Sequence, residues 1–294
     1  MSRRIGIDLG GTKIEGAVLD ASGAPVVRER VATERERGYE HVLDTVAALV
    51  GRLRPHAPDA TVVGVGAPGS PSARDGTLKN SNTTCLNGRP LRADLEARLG
   101  CEVRLENDAN CFALAEARGG AGRGHRLVFG VILGTGVGGG IVVDGRLWTG
   151  PQHVAGEWGH HGIDPAGPPC WCGRRGCVEA FLSGPALAAA HRAAGGAAVD
   201  AAEVIARAAA GEAPAAAVVE RWLDRFGRAL ANVIDILDPD VVVLGGGLSN
   251  ADALYDRGRA AVARYVFNDE LRTPIVRHRL GDSAGVVGAA LLDA

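Results

Sequence analysis

The feature that most restricts the fold occurs twice. "IGIDLGGTKIEGAVLD" (Ile5 to Asp20) and "FGVILGTGVGGGIVVDG" (Phe129 to Gly145) share one plan: an apolar strand, a glycine/threonine turn, a second apolar strand, then an Asp-containing turn. Strands joined by so short a turn pair as antiparallel hairpins. Two copies, close to half a chain apart, predict a duplicated domain whose equivalent glycine turns face one another across a cleft.

The segments between the copies alternate in character. Val42, Leu43, Val46, Leu49, Val50 and Leu53 recur at helical spacing within Tyr39 to Leu53. Thr61 to Ala67 and Cys101 to Leu105 are apolar strands, with short helices over Leu91 to Leu99 and Ala109 to Arg118. Later, Trp222, Phe226, Leu230, Ile234 and Leu237 share one face of a long helix. Asp240 to Leu244 is a buried strand ending in Gly245-Gly246-Gly247, with another helix after it. This order predicts an α/β protein. The expected division is an N-terminal lobe over 1–120, a larger lobe over 121–280, and a last helix over 281–294 that packs back on the first lobe.

Composition narrows the partners. A net charge of −2 over 294 residues and 22% charged residues give no basic surface for nucleic acid or an anionic membrane. No apolar run reaches the ~20 residues that span a bilayer, and no signal-like segment opens the chain. A cytoplasmic protein is expected.

Asp8-Leu9-Gly10-Gly11-Thr12-Lys13 lacks the four-residue spacing and following helix of a Walker P-loop. Its glycines instead leave backbone N–H groups open to an anion, Thr12 and Lys13 add a hydroxyl and a charge, and Asp8 suits hydrated Mg²⁺. An ordinary hairpin turn would look the same. Gly134-Thr135-Gly136 repeats the arrangement, and Gly245-Gly246-Gly247 would let backbone approach a flat base or ribose. Glu106-Asn107-Asp108-Ala109-Asn110 lies where a strand ends and a helix begins. There Asn107 or Asp108 serves as a helix cap, or Asp108 serves as a base kept ionised by the helix N-terminus.

"PCWCGRRGCVE" packs Cys170, Cys172 and Cys177 into eight positions. In a cytoplasmic chain such clusters are metal ligands or reactive thiols more often than disulfides. Three thiolates fall one short of a closed zinc site, and His160 or its neighbour His161 could supply the fourth ligand. A redox pair is the competing reading.

These motifs together resemble the ROK family (repressors, uncharacterised frames and sugar kinases), in their order from Ile5 to about Leu292. The resemblance rests on Asp8-x-Gly-Gly-Thr-Lys, Glu106-Asn-Asp-Ala-Asn, Leu133-Gly-Thr-Gly-Val-Gly-Gly-Gly, Gly156-Glu-Trp-Gly-His160, Cys170-x-Cys-Gly-x-x-Gly-Cys177-x-Glu179 and Val243-Leu-Gly-Gly-Gly. It implies a duplicated actin-like (ribonuclease H-like) ATPase fold of two lobes with a central cleft, and ATP-dependent phosphorylation of a hexose. It implies Asp108 as the catalytic base and Asn107, Asp108, Glu157, His160 and Glu179 as sugar ligands. Asp8, Gly10, Gly11, Thr12, Lys13, Gly134, Thr135, Gly136, Gly245, Gly246 and Gly247 would bind ATP with Mg²⁺. His160, Cys170, Cys172 and Cys177 would hold a structural Zn²⁺, and the chain would form a homodimer.

On substrate, the run Lys79 to Gly88 and the C-terminal "VFNDELRTPIVRHRLGDSAGVVGAA" are most similar to the fructokinase/mannokinase branch. Fructose is therefore the expected acceptor. Cys111-Phe112 is shared with N-acetylglucosamine kinases, which makes that sugar the alternative, with glucose and mannose also admitted. Sugar-responsive repressors of the family carry a DNA-binding segment ahead of the first hairpin. With that hairpin starting at Ile5, a repressor is the remote reading, as is an ATPase without a sugar substrate.

Overall fold

The computed structural model describes residues 3–292. In chain order the elements are β1 (Arg4–Leu9), β2 (Lys13–Leu19), β3 (Pro25–Ala32), α1 (Tyr39–Leu53), β4 (Val62–Ala67), β5 (Ser70–Pro71), β6 (Leu78–Lys79), α2 (Leu91–Leu99), β7 (Glu102–Asn107) and α3 (Asp108–Gly119). They continue with β8 (Leu127–Leu133), β9 (Val137–Val143), β10 (Arg146–Leu147), α4 (Glu179–Leu182), α5 (Gly184–Ala193), α6 (Ala201–Ala209), α7 (Ala213–Leu237), β11 (Val241–Gly245), α8 (Arg257–Tyr265), β12 (Ile275–Arg277) and α9 (Ala284–Ala290). The chain divides into two compact units. One comprises residues 1–123, 145–155 and 280–294; the other comprises 124–144 and 156–279. The termini assigned to the expected lobes, positions 1, 2, 293 and 294, lie outside the described residues.

In the first unit the sheet order is β3-β2-β1-β4-β7. β1 and β2 form the hairpin, with Asp8 opposite Glu15 and Leu9 opposite Ile14. β4 runs parallel to β1, and β7 parallel to β4. In the second unit the strands run β9-β8-β11-β12. β8 and β9 form the hairpin, closed by Leu133 opposite Val137, and β11 and β12 continue in parallel. The same hairpin-then-parallel topology appears in both units, which accounts for the repeated sequence plan.

The cores follow from the apolar spacing. Val42, Leu43, Val46, Leu49, Val50 and Leu53 of α1 are at most 1% exposed. They pack with Ile5, Ile7, Val63 and Val65 of the sheet, each contributing about 1.5–3 kcal/mol by its removal from water. In the second unit, Trp222, Phe226, Leu230 and Ile234 of α7 are buried as their spacing predicts, while Leu237 at the helix end is half-buried. α9 returns to the first unit, where Val286 and Ala290 join Ala17, Leu19 and Leu114 in a smaller cluster.

Candidate functional site

In the first unit the carboxyl ends of three neighbouring parallel strands collect the expected chemistry. Asp8 of β1 is in register with Gly66 of β4, and Ala67 of β4 with Asn107 of β7. The β1–β2 turn is tied down around its carbonyls. Gly10 N–H donates to Lys13 O at 3.0 Å, and Thr33 donates through its hydroxyl to Gly10 O (2.7 Å) and through its N–H to Thr12 O (3.0 Å). Thr12 and Lys13 stay exposed. The buried Thr83 hydroxyl has no partner among the described residues and lies 3.2 Å from where a Gly11 Cβ would stand. An orphan donor beside an open glycine turn suits a phosphate oxygen.

Asp8 is half-buried. Its carboxyl is raised to about 6 by burial first and then by the facing Glu15 charge, against the pull of Lys13 and Arg30. Glu15 itself is buried and gripped by Arg28, Arg30 and the Ser283 hydroxyl.

At α3 the two readings of Asn107 and Asp108 separate. Asn107 is the cap, its Oδ1 accepting from Ala109 N–H (2.9 Å) and Asn110 N–H (3.4 Å). Its Nδ2 donates to Gly69 O at 3.0 Å. Asp108 is the first helical residue, with Oδ1 accepting from Ala109 N–H at 2.9 Å. It therefore sits in the positive end of a 12-residue helix. Glu106 braces both neighbours, accepting from Asn107 N–H (2.7 Å) and Asn110 Nδ2 (3.0 Å), while Asn110 Oδ1 is buried without a partner among the described residues. Cys111 is fully buried, packed beside Gly66 and Gly288. Phe112 is buried too. The Cys111-Phe112 pair thus belongs to the core.

In the second unit the turns at Gly134-Thr135-Gly136 and Gly245-Gly246-Gly247 leave the carboxyl ends of the adjacent parallel strands β8 and β11. Gly246 has φ +80°, and a Cβ there would come within 2.4 Å of Leu133 O, so only glycine lets the two turns approach. No α-helix follows directly; two 3₁₀ turns, Gly247–Asn250 and Asp252–Leu254, intervene before α8. They border a pocket of 530 Å³ whose other wall is α6, with Ala202, Ile205, Ala206 and Ala209 facing Leu248 and Asn250. An apolar slot beside a glycine turn suits a nucleoside base.

The cysteine loop lies in the same unit. His160 Nδ1 is 3.6 Å from Cys170 Sγ, and Cys172 Sγ is 3.6 Å from Cys177 Sγ. The four ligand atoms all lie within 4.8 Å of one another. Tetrahedral zinc with Zn–S bonds of about 2.3 Å separates its sulfurs by about 3.8 Å, so this donor set fits the metal closely. His161 is turned away, with Nε2 3.3 Å from Asn232 Nδ2. Of the two candidate histidines, His160 is the one the fold brings to the thiols. Gly176 makes the loop possible: at φ +64° its missing Cβ would fall 1.6 Å from Asp164 O. The thiols differ in acidity. Burial holds Cys177 up at about 12. Burial would raise Cys172 too, but the Arg174 backbone and side-chain donors and the neighbouring thiols bring it down to about 6. The His160 nitrogen beside the three sulfurs favours the metal reading over the competing redox pair.

Glu179 opens α4 and its carboxylate is held from two sides. Val137 N–H donates to Oε2 at 2.9 Å, and the Trp171 indole N–H donates to Oε1 at 2.5 Å. Trp171 also stacks edge-on against His160, with ring centroids 4.8 Å apart. Sequence reasoning singled out Glu179 but not Trp171, which stands at the variable position of Cys170-x-Cys172. Glu157 caps the 3₁₀ turn Trp158–His160 that carries His160.

Three comparisons bear on this arrangement. Residues 4–294 match the profile described as the ROK family. An N-acetyl-D-glucosamine kinase of Photobacterium profundum is 40% identical over 298 residues, covering 98% of each chain. Among solved structures, a ROK hexokinase from Thermus thermophilus superposes with a TM-score of 0.87 at 36% identity, covering 99% of this chain and 97% of that one. A ROK family glucokinase from Streptomyces griseus, solved with glucose and AMPPNP, gives 0.83 at 32% identity over 99% and 98%.

Proposed function

The chain belongs to the ROK family, and we propose that it is an ATP-dependent sugar kinase whose preferred acceptor is N-acetyl-D-glucosamine. The observation that carries the acceptor is the end-to-end likeness to an N-acetyl-D-glucosamine kinase, 98% of either chain at 40% identity. The same finding favours this acceptor over the expected fructose. The segments that suggested it are short, whereas the likeness to the N-acetylglucosamine enzyme runs the length of the chain. The duplicated α/β topology, shared with ROK kinases of solved structure, supports the actin-like ATPase fold.

In this reading Asp108 accepts the proton of the attacking sugar hydroxyl, its ionised form favoured by the N-terminus of α3. Asn107 keeps the first turn of α3 in place. Asn107 and Asp108 in the first unit, and Glu157, His160 and Glu179 in the second, are read as the ligands of the sugar's hydroxyls. Gly10 and Gly134 close the two turns by donating to Lys13 O and Gly136 O, so Gly11, Thr12, Thr135 and Gly136 are the residues read as donors to phosphates, and Gly245-Gly246-Gly247 with the alanine-walled pocket takes the nucleoside. Asp8 would hold Mg²⁺, with Lys13 next to the hairpin turn, and the ion would supply charge neutralisation for the phosphates. His160, Cys170, Cys172 and Cys177 would hold a zinc ion, which would fix the loop that carries Trp171 and leads to Glu179. A homodimer belongs to the same reading. Its support is the exposure of two large apolar side chains in the second unit, Phe267 at 96% and Ile236 at 81%.

Coupled measurement of ADP release with a panel of hexoses tests this. N-acetyl-D-glucosamine is expected to give a kcat/KM about tenfold or more above glucose, mannose and fructose. A glucose preference would favour the second reading, which the hexokinase and glucokinase structures support. ADP release that no hexose stimulates would remove the kinase reading.

A further inference from the structure

Helix α7 carries three arginines on one stripe: Arg221, Arg225 and Arg228, spaced i, i+4 and i+7. Like charges at this spacing repel and destabilise a helix unless something answers them. Among the described residues none of the three has a carboxylate partner. The Arg225 guanidinium lies 4.1 Å over the Phe181 ring, and Arg228 lies 5.1 Å over the Tyr265 ring, with a long bond to its hydroxyl at 3.4 Å.

Arg225 and Arg228 line a cavity of 420 Å³ with Ile163, Asp164, Pro165, Phe181 and Asp224. Both carboxylates on its wall are already engaged. Asp224 Oδ1 accepts from Arg264 Nη2 and from the Tyr265 hydroxyl, each at 2.9 Å. Asp164 Oδ1 accepts from Ala166 N–H at 3.0 Å in a turn of its own. The wall itself thus carries two guanidiniums and two carboxylates, and Asp224 is already paired with Arg264 from outside it, which leaves Arg225 and Arg228 without an ion-pair partner of their own among the described residues. Burial first and then the neighbouring Arg221 pull the Arg225 guanidinium below its usual range, against the Asp164 and Asp224 charges, while the Tyr265 hydroxyl holds Arg228 above it.

We propose that this cavity is a binding site for a phosphate group borne by a small molecule. Phe181 lies under the Arg225 guanidinium, and Arg225 and Arg228 both line the cavity, where their forks would offer donors to one oxyanion. The cavity falls in the size range of small-molecule pockets, so it admits a phosphorylated monosaccharide as well as the free ion. All of its walls belong to the second unit, and the site stands independently of the sugar-kinase reading.

Isothermal titration of the intact protein with inorganic phosphate and, separately, with a hexose 6-phosphate tests the site. Arg225→Gln/Arg228→Gln is expected to bind one equivalent fewer per chain, or to hold that equivalent about tenfold or more weakly. Equal loss with both probes identifies the free ion as sufficient, and loss confined to the hexose 6-phosphate identifies the phosphorylated sugar. Pro165→Trp, which fills the cavity and leaves α7 unaltered, is expected to remove the same equivalent and stands in if the arginine variant does not fold. Identical isotherms for the wild type and a folded variant would overturn the proposal, as would no saturable binding of either probe to the wild type.

Discussion

Trp171 donates its indole N–H to Glu179 at 2.5 Å while its ring packs edge-on against His160. One side chain therefore touches both the proposed metal site and a proposed sugar ligand. Glu179 has only one other partner for its carboxylate among the bonds described above, the Val137 N–H. Trp171→Phe keeps the ring and deletes the donor. It is expected to raise the sugar KM about three- to tenfold with kcat within about twofold, since a lost neutral-to-charged hydrogen bond costs about 1 kcal/mol or somewhat more. Zinc content should be unchanged. A fall in kcat at constant KM would show that Trp171 acts on something other than sugar binding.

The cysteine loop predicts a metal. One zinc per chain is expected by elemental analysis of the purified protein. Cys172→Ala is expected to lose it and to lower Tm by about 5–10 °C, because binding energy at a closed four-ligand site is folding energy. The loss should also weaken sugar binding, since His160 and Trp171 are both fixed by the loop. A wild-type protein that carries no metal and melts unchanged in chelator would dismiss the zinc assignment.

What the sequence makes legible is the part governed by short-range patterning. Ile5 to Asp20 and Phe129 to Gly145 show their hairpins because apolar residues flank glycine turns, and α1 shows itself through its buried stripe. β3 is silent because it is an edge strand, "PVVRERVA", whose charges keep it from pairing further and blur its alternation. The return of residues 145–155 to the first unit leaves no sequence trace, since Trp148 there is exposed and no core pattern marks the segment. At the site, Asn107 and Asp108 could not be told apart as cap and base until backbone geometry made Asn107 the cap. Trp171 was invisible because nothing in a single sequence signals that the middle residue of Cys-Trp-Cys reaches a glutamate eight positions on. Local similarity points to fructose while the full-length likeness favours N-acetylglucosamine, and Cys111-Phe112, the one fragment that pointed to the latter, is buried.

Asp108 lies in the first turn of α3, where its loss would cost chemistry more than structure, because the cap is Asn107. Asp108→Asn preserves shape and hydrogen bonding to Ala109 but removes the base. Its kcat is expected to fall by about 10²–10⁴-fold, with the sugar Kd, read by calorimetry, within about threefold of wild type. Turnover near the wild-type rate would end the assignment of Asp108 as base.

Asp8 offers a pH prediction whose sign follows from its raised carboxyl, about 6 against an ordinary 3.8. Between those values the folded protein holds a proton that the unfolded chain has released. Stability from this group is therefore present below pH 3.8, falls as pH rises toward 6, and is absent above it. At neutral pH the ionised Asp8 costs at most about 3 kcal/mol, and solvent at this half-buried position lowers that to about 1–2 kcal/mol. Asp8→Asn removes the cost: Tm should rise by about 2–6 °C at about pH 7.5 and by nothing at about pH 4, measured by calorimetry in parallel buffers. The same variant should lose kinase activity and its response to Mg²⁺, because the charge that is expensive to bury is the one proposed to meet the metal. A Tm gain of equal size at both pH values would show that the stabilisation comes from packing and not from the charge.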